Sequence, residues 1–467
     1  MQSRRSEADT IGSLDLPIGA LHGIQTERAR QNFPITGVPL SHFPSIVVAL
    51  AMVKQAAVRA NIEIGGIKPQ KAEAIDAACQ EIIDGKHHEH FMVDMIQGGA
   101  GTSTNMNANE VIANLALTKL GYAPGEYEHL HPNDDVNQGQ STNDVYPTAV
   151  RLAVLFHVEP LCAALKGLQS AFGDRAEAFA DIAKVGRTQL QDAVPMSLGA
   201  EFRAFAVTVG EDIDRIREIG RLLKEINLGG TAIGTGVNTK TGYDKRAVTH
   251  LSQISGFDFK QAKDLIEASS DLGGFVTFSG ILKRLAVKLS KICNDLRLLS
   301  SGPRAGLGEI TLPAVQAGSS IMPGKVNPVI PEVVNQICYQ TIGNDLVVTM
   351  AAEAGQLQLN AMEPVVAYNL LKSLKILING ANVLTEKCVF GIEASADRCR
   401  DLLDNSLVLT TALAPHLGYD ATARVAKCAL ATGASIRDVV IEEGLIPESE
   451  LDKILSPAAM LDRSMSS

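Results

Sequence analysis

Four polar segments of this chain gather side chains able to hold a small anion. The sharpest is Gly318-Ser319-Ser320-Ile321-Met322-Pro323-Gly324-Lys325-Val326-Asn327-Pro328, which sets two adjacent hydroxyls, a lysine and an asparagine among paired glycines and prolines. Gly318 and Gly324 admit backbone angles closed to other residues, and Pro323 and Pro328 stiffen the turns. Lys325 and Asn327 have the chemistry to hold a carboxylate, and Glu332 follows at the opening of a long helical pattern. A plain surface loop is the alternative, but such loops rarely combine Ser-Ser with Lys and Asn in this way.

The other three segments are less specific. Gly98-Gly99-Ala100-Gly101-Thr102-Ser103-Thr104-Asn105 has small residues that let an anion approach backbone N–H groups, with Thr102, Ser103 and Asn105 as side-chain donors. Asn137-Gln138-Gly139-Gln140-Ser141-Thr142-Asn143-Asp144 offers hydroxyls and amides, with no charge before Asp144. Gly186-Arg187-Thr188-Gln189-Leu190-Gln191 supplies Thr188 and Gln189, either of which binds a carboxylate or an amine, while Arg187 reads as a ligand or as a structural ion-pair partner. Helix N-capping uses the same residue types and stands as an equal alternative for each. For the last segment it takes the form of a capped loop leading into a helix from Ser197.

Other chemistries leave no comparable trace. There is no Walker loop, no GxGxxG opening a strand–helix unit and no HExxH, so no cofactor motif is visible. Lys86-His87-His88-Glu89-His90 invites a metal reading, but no second ligand cluster stands at a matching spacing, and a solvated loop is expected instead. No metal site is therefore assigned, and divalent-metal activation stays open. With 52 acidic and 42 basic residues the net charge is −10, a poor basis for nucleic-acid binding. The 7 cysteines form no CxxC pair and sit among apolar residues, as buried thiols of a reducing compartment do. No run approaches the ~18 unbroken apolar residues of a membrane span, and the N-terminal MQSRRSEADT lacks a signal peptide's apolar core. A cytoplasmic protein with no membrane partner is expected.

Long helices must position these segments. Apolar residues recur at helical spacing over 197–226 (Phe202, Phe205, Val209, Ile213, Ile216, Leu222) and over 272–299 (Leu282, Leu285, Leu289, Ile292, Leu296). Similar patterns cover 332–354 and 365–387, with shorter ones at 43–61 and 71–83. Helices of ~22–30 residues reach ~33–45 Å and must pack side by side as a bundle. Three regions separate by pattern: a mixed N-terminal domain over 1–140, a central long-helix bundle over 141–396 and a small helical domain over 397–467. Some stripes are wide. Phe275, Val276, Phe278, Ile281 and Leu282 spread around much of one helix, so its packing continues either within a large subunit or between subunits.

Taken together, the four segments resemble the fumarase/aspartase superfamily. GSSIMPGKVNP is similar to that family's signature, and the likeness runs from Gly23-Ile24-Gln25-Thr26 through Gly229-Gly230-Thr231-Ala232-Ile233-Gly234-Thr235-Gly236 to the C-terminal region. The resemblance implies a mainly α, three-domain subunit. It also implies a homotetramer with a twenty-helix core and active sites shared by three subunits. Four places look like the ammonia-lyase branch rather than the hydratases: GGAGTS, Gln189 where hydratases carry His, NPVIPEVVNQ, and AAEAGQLQLN.

What the family likeness implies about mechanism is specific. A small dicarboxylate loses a proton beside one carboxylate, and charge then develops on the carboxylate oxygens. Ser319 is the implied base, acting as an alkoxide whose pKa is depressed by loop N–H groups near Gly318 and Ser320. Lys325 and Asn327 would hold the carboxylate beside the acidic C–H, with Ser320 also at the substrate. Thr102, Ser141, Thr142, Asn143, Thr188 and Gln189 would hold the other carboxylate and the amino group. Gln189 cannot relay a proton at neutral pH. Ammonium leaves without an acid and hydroxide does not, so reversible deamination of aspartate to fumarate, with no cofactor required, is the implied reaction. The alternatives are fumarate hydration, a lyase for a substituted aspartate, and a non-catalytic structural protein on the same scaffold. Leu21-His22-Gly23 and Gly139 depart from the family pattern.

Overall fold

The long helical periods are present as helices in the computed structural model, which describes residues 4–318, 321–322 and 324–461. They span Pro44–Glu63, Pro69–Ile83, Leu198–Gly220, Gly273–Leu299, Val329–Glu353 and Glu363–Lys387. The architecture is mainly α. In Gly273–Leu299 the residues Leu282, Leu285, Leu289, Ile292 and Leu296 are all buried, as their three- and four-residue spacing requires. Phe202, Phe205, Val209, Ile213 and Ile216 do the same in Leu198–Gly220. Leu222, grouped with that stripe by sequence, lies past Gly220 in a 3-10 turn and is 48% exposed. The helix therefore stops six residues short of Ile226, which belongs to a short strand.

The chain divides into two compact units. The first comprises Met1–Cys162, Asp214–Arg284 and Tyr339–Leu377; the second comprises Ala163–Ile213, Leu285–Cys338 and Ile378–Ser467. In the first, Pro44–Glu63 is the central helix, packed against Pro69–Ile83, Thr142–Leu155 and Tyr243–Ser255. Its start is preset by proline at the first position, where no N–H is needed. In the second, Val185 of a β-hairpin joins Leu403, Leu409, Leu413, Val425, Val439, Val440 and Leu451 of the C-terminal helices in one apolar core.

Two hairpins lie where no strand was expected. Arg4–Asp9 pairs antiparallel with Gly12–Pro17, and Ala183–Thr188 pairs antiparallel with Gln191–Ser197. All seven cysteines are free and six are buried. Burial raises the thiol pKa of Cys162 and Cys399 to about 11 and of Cys338 and Cys388 to about 12, which leaves them unreactive. Two helical stretches, Pro44–Glu63 and Thr142–Ala178, match a membrane span in length and composition, but 72% of each apolar window is buried inside the fold.

Candidate functional site

Two helix N-termini meet in the first unit. Gly99, Ala100 and Gly101 take φ of 91°, 55° and 91°, three successive left-handed residues that turn the chain into helix Thr102–Lys119. Gly101 has a second reason to be glycine. A Cβ there would stand 2.5 Å from the Tyr146 ring. Thr102 is exposed, and its Oγ1 donates to the Gly99 carbonyl at 2.7 Å. The second helix, Thr142–Leu155, opens on a capping box. The Asn143 N–H donates to Ser141 Oγ at 3.3 Å, and the Ser141 N–H donates to Asp144 Oδ1 at 2.9 Å. Asn105 joins the two helices by donating to Thr142 Oγ1 at 3.1 Å. Capping and anion binding are therefore compatible here, because both rely on N–H groups and partial positive charge at helix starts.

Behind this junction lies a polar network that the sequence reading did not single out. Lys54 is fully buried, and its Nζ donates to Asn137 Oδ1 at 2.8 Å. The same oxygen accepts from Asn105 at 3.1 Å and from Asn109 at 3.2 Å. Burial drives the Lys54 pKa down to about 7, opposed by the charge of Asp144. Asp144, also fully buried, accepts from the Gly229 and Thr231 N–H groups at 3.0 Å each and so fixes the 229–236 loop. Its pKa is pushed up to about 6 by desolvation, against those backbone bonds and Lys54. Asn143 is tied to the same loop, donating to the Ala232 carbonyl at 2.7 Å. A signal for Lys54 did exist, as the one charge within the apolar run from Ile46 to Val58. Gly139 answers a local need: its φ is 71°, and a Cβ would lie 3.4 Å from the Tyr243 ring.

Thr188 and Gln189 lie in the second unit, at a hairpin tip rather than in the capped loop expected there. Only the cap itself survives, as Ser197 Oγ accepting the Ala200 N–H at 3.0 Å. Gln189 and Leu190 form the two-residue turn with φ of 55° and 61°. Such turns favour Asn-Gly because both residues are left-handed, so Gln-Leu is a strained choice. Arg187 proves to be an ion-pair partner. Its Nη1 meets Glu309 Oε1 at 2.8 Å, while Lys184 reaches Glu309 at 2.8 Å and also pairs with Glu201. Glu309 is fully buried, so this pair of cations anchors the strand that ends in Thr188.

Ser319, Ser320 and Pro323 lie outside the described residues. Around them, Gly318 is pressed against the Lys325 carbonyl so closely that no Cβ fits, which brings the two arms of the signature segment together. Lys325 is exposed and Asn327 half-buried. The Val329 N–H donates to the Asn327 carbonyl at 2.9 Å, leading into helix Val329–Glu353. Ile321, 87% exposed, and Met322, 54% exposed, leave an apolar flank beside Lys325 uncovered. Thr102, Ser141, Thr142 and Asn143 thus belong to the first unit, and Thr188, Gln189, Lys325 and Asn327 to the second.

Elsewhere, the histidines of 86–90 are engaged rather than free in solvent. His87 Nε2 pairs with Glu81 at 2.9 Å, and His88 Nε2 bonds the Ile82 carbonyl at 2.8 Å. Among the described residues, no group of three or more His, Cys, Asp or Glu is placed to hold a metal ion.

Comparison with known proteins decides the family. A lyase family model matches residues 12–343, and a fumarase C C-terminus model matches 409–462. The chain belongs to the fumarase/aspartase family. An aspartate ammonia-lyase of Pseudomonas aeruginosa is 58% identical over 460 residues, covering 98% of this chain and 97% of that one. A crystal structure of a fumarate lyase:delta crystallin from Brucella melitensis, bound to cobalt, superposes with a TM-score of 0.96 at 57% identity, over 98% of this chain and 100% of that one. A class II fumarase of Schistosoma mansoni shares the fold at a TM-score of 0.91 but only 34% identity, over 97% of this chain and 98% of that one. The lyase family match together with the full-length aspartate ammonia-lyase relatives makes this chain a carbon–nitrogen lyase, with helices as its scaffold.

Proposed function

We propose that this chain is an aspartate ammonia-lyase, interconverting L-aspartate with fumarate and ammonia. The observation that carries the reading is the full-length identity of 58% to a relative of that name, and Gln189 at the hairpin tip agrees with it. An amide there can hold the amino group but cannot protonate a departing hydroxide. Ser319 removes the proton beside one carboxylate, and Lys325 and Asn327 hold that carboxylate, with Ser320 at the substrate. Thr102, Ser141, Thr142, Asn143 and Thr188 hold the other carboxylate and the amine. The two helix starts joined at Asn105 and Thr142 support this, since the positive partial charge at a helix start attracts an anion.

The working enzyme is, on the same proposal, a cytoplasmic homotetramer whose twenty-helix core gathers each site from three subunits. The three sequence regions, 1–140, 141–396 and 397–467, are its domains. One feature supports assembly: Leu346 and Met350 leave an apolar face of helix Val329–Glu353 60% and 64% exposed.

The test supplies fumarate with ammonium, and separately fumarate in water alone. Aspartate is expected from the first and no malate from the second. Malate without aspartate would establish the hydratase reading, which the C-terminal fumarase C match keeps in view. Ser319→Ala should lower kcat by several orders of magnitude while the protein stays folded; unchanged turnover removes Ser319 as the base.

A further inference from the structure

A cleft of about 540 Å³ lies in the first unit where helix Gly273–Leu299 begins, within the size range of ligand pockets. Arg151 forms part of its wall and is only 7% exposed. It stands on helix Thr142–Leu155, nine residues beyond Thr142, hence about 13.5 Å along the axis. Its guanidinium has five N–H donors in a fixed fork, yet no hydrogen bond or ion pair engages it among the described residues. Its one close partner is the Phe275 ring, 4.8 Å from Cζ to centroid. A cation–π contact offsets little of the cost of burying a charge.

The position of Arg151 sharpens the anomaly. A Cβ on Gly274 would stand 3.0 Å from Arg151 Nη1, so the guanidinium lies against the second residue of a 27-residue helix. The start of a helix carries positive partial charge. A buried cation and the first turn of a helix therefore face one cleft. The acidic groups that act on Arg151, namely Glu363, Asp271, Glu225 and Glu267, do so only through space, and Asp271 Oδ2 is already bonded to the Gly273 N–H at 2.9 Å. The feature left for an incoming carboxylate is the guanidinium, whose fork is its natural partner. The rim of the same cleft carries Glu225, Asp258 and Glu267 together with Arg221, Lys224 and Lys260, a mixed lining that offers an ammonium group and a carboxylate each an opposite charge.

We propose that this cleft binds a small zwitterion of amino-acid type, its carboxylate on Arg151, its ammonium toward Glu225 and Glu267. The site does not depend on the identity of the catalytic base, and its ligand need not be a dicarboxylate.

Glycine is the probe, because it lacks the second carboxylate of the lyase substrate. Saturation-transfer NMR on the full-length protein at millimolar glycine should show binding in the wild type and equally in Lys325→Ala. Binding should weaken about tenfold or more in Arg151→Gln, and also in Gly274→Ala, which crowds the guanidinium without removing the buried charge. Glu267→Gln should weaken glycine but not acetate. The proposal is overturned if glycine does not bind the wild type, or if Lys325→Ala abolishes binding while Arg151→Gln retains it, since the probe then occupies the turnover site. Arg151-dependent binding of inorganic phosphate stronger than that of glycine would overturn the assignment to a zwitterion. Loss of aspartate turnover in Lys325→Ala with glycine binding intact separates this site from the lyase reading.

Discussion

Lys54 shows how much of the candidate site depends on a group that never reaches the surface. It supplies one of three hydrogen bonds to Asn137 Oδ1, and Asn105, which supplies another, also holds Thr142. Its pKa falls from 10.5 in an open chain to about 7 in the fold because burial disfavours the charged form. Between those values the unfolded chain binds one more proton than the native protein, so stability rises with pH over that window. A full shift of this kind amounts to a few kcal/mol, at about 1.4 kcal/mol per pKa unit. Lys54→Gln keeps a donor without the titration. In urea titrations from pH 7 to 10, the wild type should gain stability relative to Lys54→Gln. A constant difference would mean that the lysine titrates normally. Asp144 acts lower, its native pKa raised from 3.8 to about 6; there the native protein holds the extra proton, so stability falls as pH rises through that interval, opposite in sign to Lys54 and separable from it. The polar residues proposed for the substrate were legible as donors, but whether they capped helices or held a ligand was not. The structure shows why: Ser141 caps its helix through the same backbone groups that make the helix start attractive to an anion.

At the scale of elements, legibility followed the range of the signal. The long helices could be read because the three- and four-residue rhythm of Leu282 to Leu296 is local and repeats many times. The hairpin carrying Thr188 could not, because Gln189-Leu190 is not a turn sequence and Ala183–Thr188 finds its partner in only one other strand. What holds it is distant in sequence. Glu309, over a hundred residues on, binds Lys184 and Arg187 in the strand before the turn. Removing the carboxylate charge leaves Arg187, 15% exposed, without its partner and leaves Lys184, 2% exposed, with Glu201 alone. Breaking a buried pair in this manner costs about 3–5 kcal/mol. Glu309→Gln should therefore lower the urea midpoint strongly, while Glu309→Asp recovers part of the loss. If Glu309→Gln unfolds like the wild type, the network is ornamental and the strain at Gln189 must be held elsewhere. Arg187 had been left open between ligand and structural partner, and the buried carboxylate decides it in favour of the second.

For the molecule as a whole, the exposed face of helix Val329–Glu353 is the feature the chain alone leaves unexplained. Tyr339, Leu346 and Met350 are 57%, 60% and 64% exposed. With Gly343 between them they stand at intervals of four, three and four residues, the spacing by which one helix packs along another. A Cβ at Gly343 would meet nothing within 4 Å, so the stripe has open space at its centre for an approaching backbone. Large side chains on a shared stripe gain about 25 cal/mol for each Å² of apolar surface they cover, and a net charge of −10 keeps the rest of the surface soluble. A helix from a second copy satisfies all of this, and it bears directly on activity if the site takes residues from several subunits. The double variant Leu346→Lys, Met350→Lys puts like charges on the stripe of every copy. Sedimentation velocity should show a species smaller than the wild-type assembly, with helical circular dichroism retained and aspartate turnover lost in the same concentration range. Dissociation with full turnover would mean that one chain builds a complete site alone. An unchanged sedimentation coefficient would mean that assembly uses another face, and the exposed stripe would then need a different partner.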